Sequence, residues 1–587
     1  MHSKWTKLTA FAAALAMVIA LAGCGGKQEK ADTPAAEGEK GGKEPVTITW
    51  FGNVGGSSYT FTEGILHNPV FDEIAKQTGV TLDFTPCIGT TDYAERLGII
   101  LAGGEIPDVI EAVDGQALLK VIKAGVVRDD LDALVKQHGP NILKNTKKAV
   151  AVSKLLRSNN TGKLYGFIDN VQNSPNWNPI YPSGFYVRWD LYKKLGTPKI
   201  KTTDDFLNLV AEMLKLEPQN RDGKKNYGFG FNLKWQGSHM MLGDYPFEQL
   251  AGIYFATWEN NVDIRDEWKF IDRISADSVF VKEMRFWNKA WRMGLIDPES
   301  ITMDGAAIEQ KNKDCRYLAQ AAWPDTIADQ VFIDNGEPEK GYGLVIIEDI
   351  TATDALDMCD IPSAGVSKTT IITNKCKTPE RAVQLIDFLC TPEGAVLQRY
   401  GIEGVHWDIK NGKGVIRDEV IEGFKSDPDY WKKTGLNLKD NWFDLCFLRP
   451  VGLKIKDGID AGFELDSGFL DKSMTQVQKE YCKHYGITIP IELYTKRAPI
   501  VAWDPWACNI MTLPEDLAPK EQKIMTYLDA NVPKVIFSKS EEDFASGLKK
   551  FLDDLKAMGW DECSDYHKKD YAEIKEKFDK VINELGN

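Results

Sequence analysis

The amino-acid sequence predicts an α/β fold with more than one lobe and with additional helices at the carboxyl end. Strand and helix patterns alternate between residues 46 and 125, which is typical of a doubly wound α/β lobe. The 587-residue chain is 43% hydrophobic and 27% charged, a globular composition. Since one hydrophobic core seldom grows beyond about 250–300 residues, a chain of this length is expected to form at least two lobes.

The first lobe is predicted from local patterns that begin with an alternating, β-branched strand, VTITWF. Proline favours the first position of a helix and glycine the position after its end, so Pro69 and Gly79 bound the first helix. Asp92 and Glu95 form the capping pattern of the second helix. The predicted elements are a strand over 46–51, a helix over 69–78, a strand over 80–85, a helix over 92–103, a strand over 108–113 and a helix over 116–124.

Ligands of doubly wound lobes bind beyond the carboxyl ends of the strands. The loops after Phe51 and after Val113 are therefore predicted to face a ligand. Asn53 and Asp114 are the polar side chains that these two loops offer, and both are candidate ligand-binding residues.

A second region begins near Phe185 and is predicted to be rich in helices. Apolar residues recur at helical spacing over 279–293 and 379–389, and the stripe of the first includes Trp287 and Trp291, which we expect to pack in a core. Further helices are predicted over 204–215, from 392 to 400, and near the carboxyl end over 544–555 and 571–582.

The amino terminus has the pattern of a lipoprotein signal peptide. Two lysines precede a charge-free run over 8–21, which is shorter than the roughly 20 residues that span a bilayer. The sequence Leu-Ala-Gly-Cys at 21–24 resembles the bacterial lipobox, which implies cleavage before Cys24 and attachment of acyl chains, such as palmitate, to that residue. We therefore expect 1–23 to be a signal peptide and the protein to be anchored at the extracellular face of the cell membrane. A plain secretory signal peptide with an incidental cysteine is the alternative.

The composition of the remaining chain excludes several classes of function. Residues 24–45 hold almost no apolar side chains and are predicted to be a flexible tether. The net charge of −15 argues against a nucleic-acid partner, which requires a basic surface. No segment after the tether is long and apolar enough for a transmembrane helix. The cysteines beyond Cys24 are scattered without a CxxC pair, so no zinc cluster of closely spaced cysteines is predicted, and their disulfide pairing stays open.

Five stretches of the chain, in a fixed order, resemble a known family. They are AGGEIPDVI (102–110), FYVRWDLYKKLGTPKIKTTDDF (185–206), GLIDPESIT (294–302), NKCKTPERAVQLIDFLCTPEG (374–394) and GIEGVHWDI (401–409). Together with the lipobox they resemble the large extracellular solute-binding lipoproteins of carbohydrate ABC importers, including the alginate-oligosaccharide binders. The tail LKKFLDDLKAMGWDE (548–562) is similar to the terminal helices of that family.

The resemblance implies a periplasmic-binding-protein-like fold, with two α/β lobes joined by a hinge and extra carboxyl-terminal helices. It implies that a sugar, expected to be an oligosaccharide, binds between the lobes, and that the closed form docks on the permease of an ABC transporter. We expect the protein to be a monomer. The expected division is 46–175 as the first part of lobe 1, 176–320 as the first part of lobe 2, 321–375 as a return to lobe 1, and 376–587 as the remainder of lobe 2 with the terminal helices.

Relatives in this family often carry an EF-hand-like calcium loop, and the corresponding stretch here is EPQNRDGKKNYG (217–228). Asn220, Asp222 and Asn226 remain at ligand positions, but the acidic pair at the end of the loop is missing. Because calcium sites need several carboxylates, we predict no bound metal or cofactor.

Aromatic rings cover the apolar face of a sugar, and polar side chains bind its hydroxyl groups. Among the 16 tryptophans, those in polar loops marked by proline or glycine are the better candidates for a sugar site. The candidate ligand-binding residues, besides Asn53 and Asp114, are Arg188, Trp323, Glu403, Trp407, Trp503 and Trp506. Arg188 and Asp190 could instead form a salt bridge at the hinge.

The sequence does not favour an enzyme. It contains no GxSxG, HExxH or P-loop motif, and acidic residues are too numerous for their spacing to identify a glycosidase pair. A surface-anchored carbohydrate hydrolase and a sensor or structural lipoprotein remain the alternatives to a sugar-binding protein.

Overall fold

The fold comes from a computed structural model, which describes residues 44–52, 61–90, 92–171, 179–233, 242, 247–266, 268–322, 326–354, 368–427, 430–436, 445, 447–499 and 513–585. The strands are β1 Val46–Phe51, β2 Val80–Asp83, β3 Val109–Ala112, β4 Phe167–Ile168, β5 Gly184–Arg188, β6 Ile253–Phe255, β7 Asn260–Asp263, β8 Lys269–Asp272, β9 Ala319–Ala322, β10 Tyr342–Val345, β11 Thr369–Ile372, β12 Trp407–Lys410 and β13 Lys413–Ile416.

The helices of the amino-terminal half are α1 Pro69–Thr78, α2 Tyr93–Gly103, α3 Gly115–Lys123, α4 Leu131–His138, α5 Pro140–Asn145, α6 Lys147–Leu156, α7 Trp189–Lys194, α8 Thr203–Leu216, α9 Phe247–Ala251 and α10 Val279–Arg292. Those that follow are α11 Gly305–Lys313, α12 Ile327–Asp334, α13 Pro379–Leu389, α14 Pro392–Tyr400, α15 Asp418–Ser426, α16 Tyr430–Thr434, α17 Ser467–Ser473, α18 Gln476–Tyr485, α19 Glu492–Thr495, α20 Ala518–Ile536, α21 Glu541–Ala557 and α22 Trp560–Leu585.

The helices begin and end where local chemistry satisfies their terminal backbone groups. The Asn68 side chain accepts a hydrogen bond from Phe71 N at the start of α1, and Gly79 ends that helix with a left-handed φ of 69°. Asp92 accepts from Glu95 N at the start of α2. The predicted helices of the first lobe are therefore confirmed to within a residue or two.

The first sheet has the strand order β2-β1-β3-β11-β4. β1 pairs in parallel with β2 and β3, as a doubly wound lobe requires, while β11 runs antiparallel to β3 and β4. Ile48, Val109 and Ile371 are fully buried in its core, and helix α13 adds Leu385 and Ile386 to the same core.

The second sheet is antiparallel, with the strand order β10-β5-β9. Its core is continuous with apolar side chains from α8, α10, α18 and the terminal helices α20 to α22. Trp287 is fully buried there, and Trp291 packs against Phe537 with 4.7 Å between ring centroids. The expected packing role of these two tryptophans is confirmed.

The chain passes between the two cores at positions that differ from the expected ones. β9 and β10 belong to the second sheet, so the chain does not return to the first core at residue 321. It returns at β11, and α13, α14, β12 and β13 then pack on the first core rather than on the second. The chain enters the second core again between Phe463 and Val477. β10 and β11 are both short, fully buried strands, with the sequences YGLV and TTII, and nothing local in them specifies which sheet they join.

Within the described residues, no helix is long and apolar enough to cross a membrane.

Candidate functional site

Two chain crossings join one edge of the first sheet to one edge of the second. At the first edge, Thr369 at the start of β11 pairs with Ala112 and with Ile168, the last residues of β3 and β4. At the second edge, Gly184 at the start of β5 pairs with Ala322, and Phe185 pairs with Val345. The segment 169–183 therefore leads from the first edge to the second, and 346–368 leads back.

We call these the first-sheet edge and the second-sheet edge. The first-sheet edge is formed by the carboxyl ends of β1, β3 and β4, which is where ligands bind in open α/β sheets. Both edges therefore lie at points where the chain passes between the two cores.

Glu111 places a carboxylate at the first-sheet edge. It is 6% exposed, and its Oε1 lies 3.2 Å from Trp50 Nε1, which donates a hydrogen bond to it. A Cβ added to Gly52 would lie only 2.3 Å from Glu111 Oε2, so glycine is required beside this carboxylate. The sequence analysis missed Glu111, although a glutamate inside the otherwise apolar strand VIEA is an unusual residue that could have identified it.

Tyr93 lies next to Glu111 and supplies an aromatic ring. It stacks on Phe51 with 5.2 Å between ring centroids and 12° between planes, and its hydroxyl donates to the backbone oxygen of Glu111. Burial raises the pKa of Tyr93, and the charge of Glu111 raises it further. The stacking contact and the hydrogen bond thus hold the half-buried ring in one orientation.

Buried polar atoms without a hydrogen-bond partner in the described part of the chain occur at both edges. At the first-sheet edge they are Asn170 Oδ1 and Thr369 Oγ1. At the second-sheet edge they are Ser183 Oγ and Tyr494 Oη, the latter next to Gly184, where an added Cβ would lie 2.1 Å from that hydroxyl. Buried polar groups in folded proteins are nearly always paired, so partners for these four atoms are expected from water or from a ligand.

Backbone strain also occurs at the second-sheet edge. Ala322 ends β9 with a φ of 71°, in the left-handed region that costs a residue with a Cβ roughly 1–2 kcal/mol. Strained residues of this kind cluster at binding and catalytic sites.

Asp114, which was predicted to bind ligand, has a local structural role. It is the N-cap of α3 and accepts a hydrogen bond of 2.7 Å from Ala117 N. Its side chain is exposed at the first-sheet edge, close in sequence to Glu111, and its ligand-binding role stays a prediction.

Arg188 lies at the opposite end of β5 from the second-sheet edge. Its side chain is fully buried, donates to Asp190 and to Glu217 at 2.9 Å each, and lies over the ring of Phe332. This geometry contradicts a ligand-binding role. It agrees with the alternative of a salt bridge, which holds the second lobe together and does not lie at the hinge.

Trp407 turns its ring into the first core, whereas Glu403 lies in a surface ion pair. Trp407 is 4% exposed, its Nε1 donates to Gly401 O at 3.0 Å, and its ring packs on Phe463 in the first core. Glu403 pairs with Lys456 at the surface. The prediction is wrong for Trp407 because a tryptophan in a polar loop can still turn its ring inward.

The other candidates, Asn53, Trp323, Trp503, Trp506 and the lipidation residue Cys24, lie outside the described residues. Their roles stay predictions.

The loop that corresponds to a calcium site is closed by its own side chains. Asn220 Oδ1 accepts from the backbone N of Asp222 and of Lys224, and Lys224 Nζ pairs with Asp314. Asn226 Nδ2 donates to the backbone oxygen of Glu217. The loop thus offers a lysine ammonium and amide groups in place of several of the carboxylates that calcium prefers, and the absence of a bound ion stays a prediction.

Comparison with known proteins identifies relatives along much of the chain. Residues 60–396 match the family model described as bacterial extracellular solute-binding protein. A curated relative is the fructooligosaccharide ABC transporter substrate-binding protein FusA of Streptococcus pneumoniae serotype 4 (strain ATCC BAA-334 / TIGR4), 22% identical over 259 residues. That alignment covers 43% of this chain and 46% of the relative, so it spans less than half the length of either protein.

Solved structures share the fold over nearly their whole length. The alginate-binding protein AlgQ2, in a structure without calcium ion, has a TM-score of 0.61 at 17% identity and covers 90% of this chain and 98% of its own. An EF-hand mutant of S. pneumoniae FusA in complex with fructo-nystose has a TM-score of 0.60 at 17% identity, and the match covers 91% of this chain and 100% of the FusA chain. A solute-binding protein from Bifidobacterium longum infantis ATCC 15697, described as HMO-binding, has a TM-score of 0.59 at 14% identity. That match covers 90% of this chain and 98% of the other chain. The predicted periplasmic-binding-protein-like fold is confirmed.

Proposed function

This chain belongs to the bacterial extracellular solute-binding protein family, and we propose that it captures an oligosaccharide between its two lobes and delivers it to the permease of an ABC transporter. The relatives support this class of ligand, since their descriptions name fructooligosaccharide, alginate and HMO.

The observation that carries the proposal is the set of buried polar atoms at the two edges that the chain crossings join. Asn170 Oδ1 and Thr369 Oγ1 at one edge, and Ser183 Oγ at the other, need hydrogen-bond partners. Sugar hydroxyls both donate and accept, so an oligosaccharide, directly or through bound water, can satisfy a mixed set of oxygen acceptors and hydroxyl groups.

Tyr93 gives the proposed site a surface for the apolar face of a sugar ring. Its phenol is held against Phe51 and against the backbone of Glu111, so little side-chain entropy is lost when a ligand stacks on it. The Glu111 carboxylate beside it is an acceptor for sugar hydroxyl groups.

We infer that the sugar leaves unaltered. A ligand that contacts both edges stabilises the closed arrangement of the lobes by its differential affinity for that arrangement. A permease can then recognise the closed form. Attachment to the extracellular face of the membrane through acylated Cys24 belongs to the same proposal, because a tether raises the local concentration of the receptor at its permease.

The test is calorimetric titration of the purified protein with fructooligosaccharides, alginate oligosaccharides and human milk oligosaccharides, with analysis of the sugar recovered. We expect one of these classes to bind and to be recovered intact. Thr369→Val and Ser183→Ala should each weaken binding roughly 3- to 10-fold, the value of one neutral hydrogen bond. Neither should lower Tm, because each hydroxyl has no hydrogen-bond partner in the described part of the unliganded protein.

Matched controls come from buried hydroxyls that do have partners. Thr373 Oγ1 donates to Pro107 O at 2.7 Å beyond the other end of β11, and Ser153 Oγ donates to Gly166 O at 2.6 Å. Thr373→Val and Ser153→Ala should lower Tm and leave sugar affinity unchanged. Equal sugar affinity in all four variants would overturn the site, and cleavage of the sugar would overturn the function.

A further inference from the structure

Three segments that are far apart in the sequence bring two carboxylates and one imidazole together. Glu259 immediately precedes β7, Glu521 lies in the first turn of α20, and His567 lies in α22. One ligand atom from each residue lies within 4.8 Å of the other two. We call this group the carboxylate cluster.

The carboxylate cluster is buried. Glu259 and His567 are 0% exposed, and Glu521 is 8% exposed. His567 Nε2 lies 2.8 Å from Glu521 Oε1 and 3.7 Å from Glu259 Oε2.

One oxygen of this cluster accepts no hydrogen bond from the described part of the chain. Glu259 Oε2 accepts a hydrogen bond of 3.3 Å from Thr257 Oγ1, but the buried Oε1 has no hydrogen-bond partner among the described residues. Two carboxylates with one imidazole carry excess negative charge, and such charge inside a protein requires protons or a cation.

We propose that Glu259, Glu521 and His567 bind one divalent transition-metal ion, with zinc as the ion of choice. The His567 nitrogen lies 2.8 Å and 3.7 Å from the two carboxylates and the three ligand atoms lie within 4.8 Å of one another, so small side-chain movements would bring all three to zinc–oxygen and zinc–nitrogen bonds of about 2.0–2.2 Å. Calcium and magnesium prefer oxygen ligands alone, whereas imidazole is a ligand of zinc and other transition metals.

The ion would join three parts of the fold. Around the cluster, Ser564 Oγ donates to Asn260 Oδ1 at 2.8 Å, and Trp560 Nε1 donates to Asp272 Oδ1 at 2.9 Å, so α22 already contacts β7 and β8. Metal ligands from 259, 521 and 567 would close two loops of the chain and stabilise the docking of the terminal helices. Burial of the cluster assigns the ion a structural role. This inference does not rest on the proposed sugar binding.

The test uses the purified protein after dialysis against a chelator, followed by titration with zinc, manganese or calcium. We expect one zinc or manganese ion per chain by elemental analysis, a rise in Tm of roughly 3–6 °C with that ion, and no rise with calcium. Glu259→Gln keeps the size of the side chain and should lose both the bound ion and the metal-dependent rise in Tm.

His567→Gln should behave like Glu259→Gln, and His406→Gln is its matched control. His406 is also buried, but its Nδ1 accepts from Ile402 N and no metal-binding group in the described part of the chain includes it. His406→Gln should retain the ion. Absence of bound zinc and manganese in the wild-type protein, or binding by Glu259→Gln equal to the wild type, would overturn the proposal. Should His567→Gln fail to fold, Glu259→Gln still decides it.

Discussion

Two clusters of charged side chains, each built around a fully buried residue, differ in whether the chain itself supplies the opposite charge. In the first, which we call the balanced cluster, Arg188 donates to Asp190 and Glu217, and Lys194 lies 3.7 Å from Asp190. In the carboxylate cluster, Glu259 and Glu521 meet only His567 within salt-bridge distance among the described residues. Burial of charged side chains alone therefore does not identify a ligand site. A net charge that the surrounding side chains leave uncompensated is the better indication, and its sign tells whether the ligand is a cation or an anion.

Breaking the balanced cluster should give the largest effect. Arg188→Met keeps the length of the side chain but leaves Asp190 buried without its guanidinium, so we expect the free energy of unfolding to fall by about 3–5 kcal/mol. Urea unfolding of the wild type and the variant measures this difference in the free energy of unfolding. The control is Arg417→Ala, which removes an arginine that pairs with Asp408 at 2.7 Å on the surface, and it should not shift the urea midpoint measurably. Equal effects of the two substitutions would contradict the distinction between a buried and an exposed pair.

Removing a charge from the carboxylate cluster should raise the free energy of unfolding, whereas breaking the balanced cluster lowers it. In chelator at pH 8, Glu259→Gln should raise the free energy of unfolding by about 1 kcal/mol, because it removes one of two buried carboxylates that repel each other. Thermal unfolding of wild type and variant checks this. A large loss of stability would mean that the Glu259 charge is compensated by the protein, as in the balanced cluster.

His406 is a buried imidazole for which no carboxylate lies within salt-bridge distance among the described residues. The pH dependence of stability that it causes can be compared with the behaviour of the carboxylate cluster. Burial, and next the charge of Arg417, lowers the pKa of His406 below its usual 6.5. The unfolded chain therefore binds a proton at a higher pH than the folded protein, and stability is lost as the pH falls from about 6.5 through the folded value. His406→Gln should flatten this part of the curve of Tm against pH. The loss of stability that it removes corresponds to less than about 1 kcal/mol in the free energy of unfolding. An unchanged slope between pH 7 and pH 5 would show that His406 keeps its ordinary pKa.

Much of the fold, but little of the site, could be predicted from the sequence. The helical spacing of Phe544, Leu548, Phe551 and Leu555 predicts that they share one buried face of a terminal helix, and all four are buried in α21. Trp407 shows the limit of such reasoning, because its polar neighbours in sequence gave no information about the Phe463 ring on which it packs. Glu111 was overlooked for the same reason, since its importance comes from its position beside Gly52 and Tyr93.

The sequence by itself determined the elements that depend on neighbours along the chain. Capping by Asn68 and Asp92, the glycine after α1, and the apolar stripes of α10 and α21 all act within one or two helical turns. Only the tertiary structure decided that β10 and β11 join different sheets, and that residues 259, 521 and 567 meet. The physical reason is range: hydrogen bonds at helix ends are local, whereas strand partners and buried charge clusters are selected by the packing of segments hundreds of residues apart.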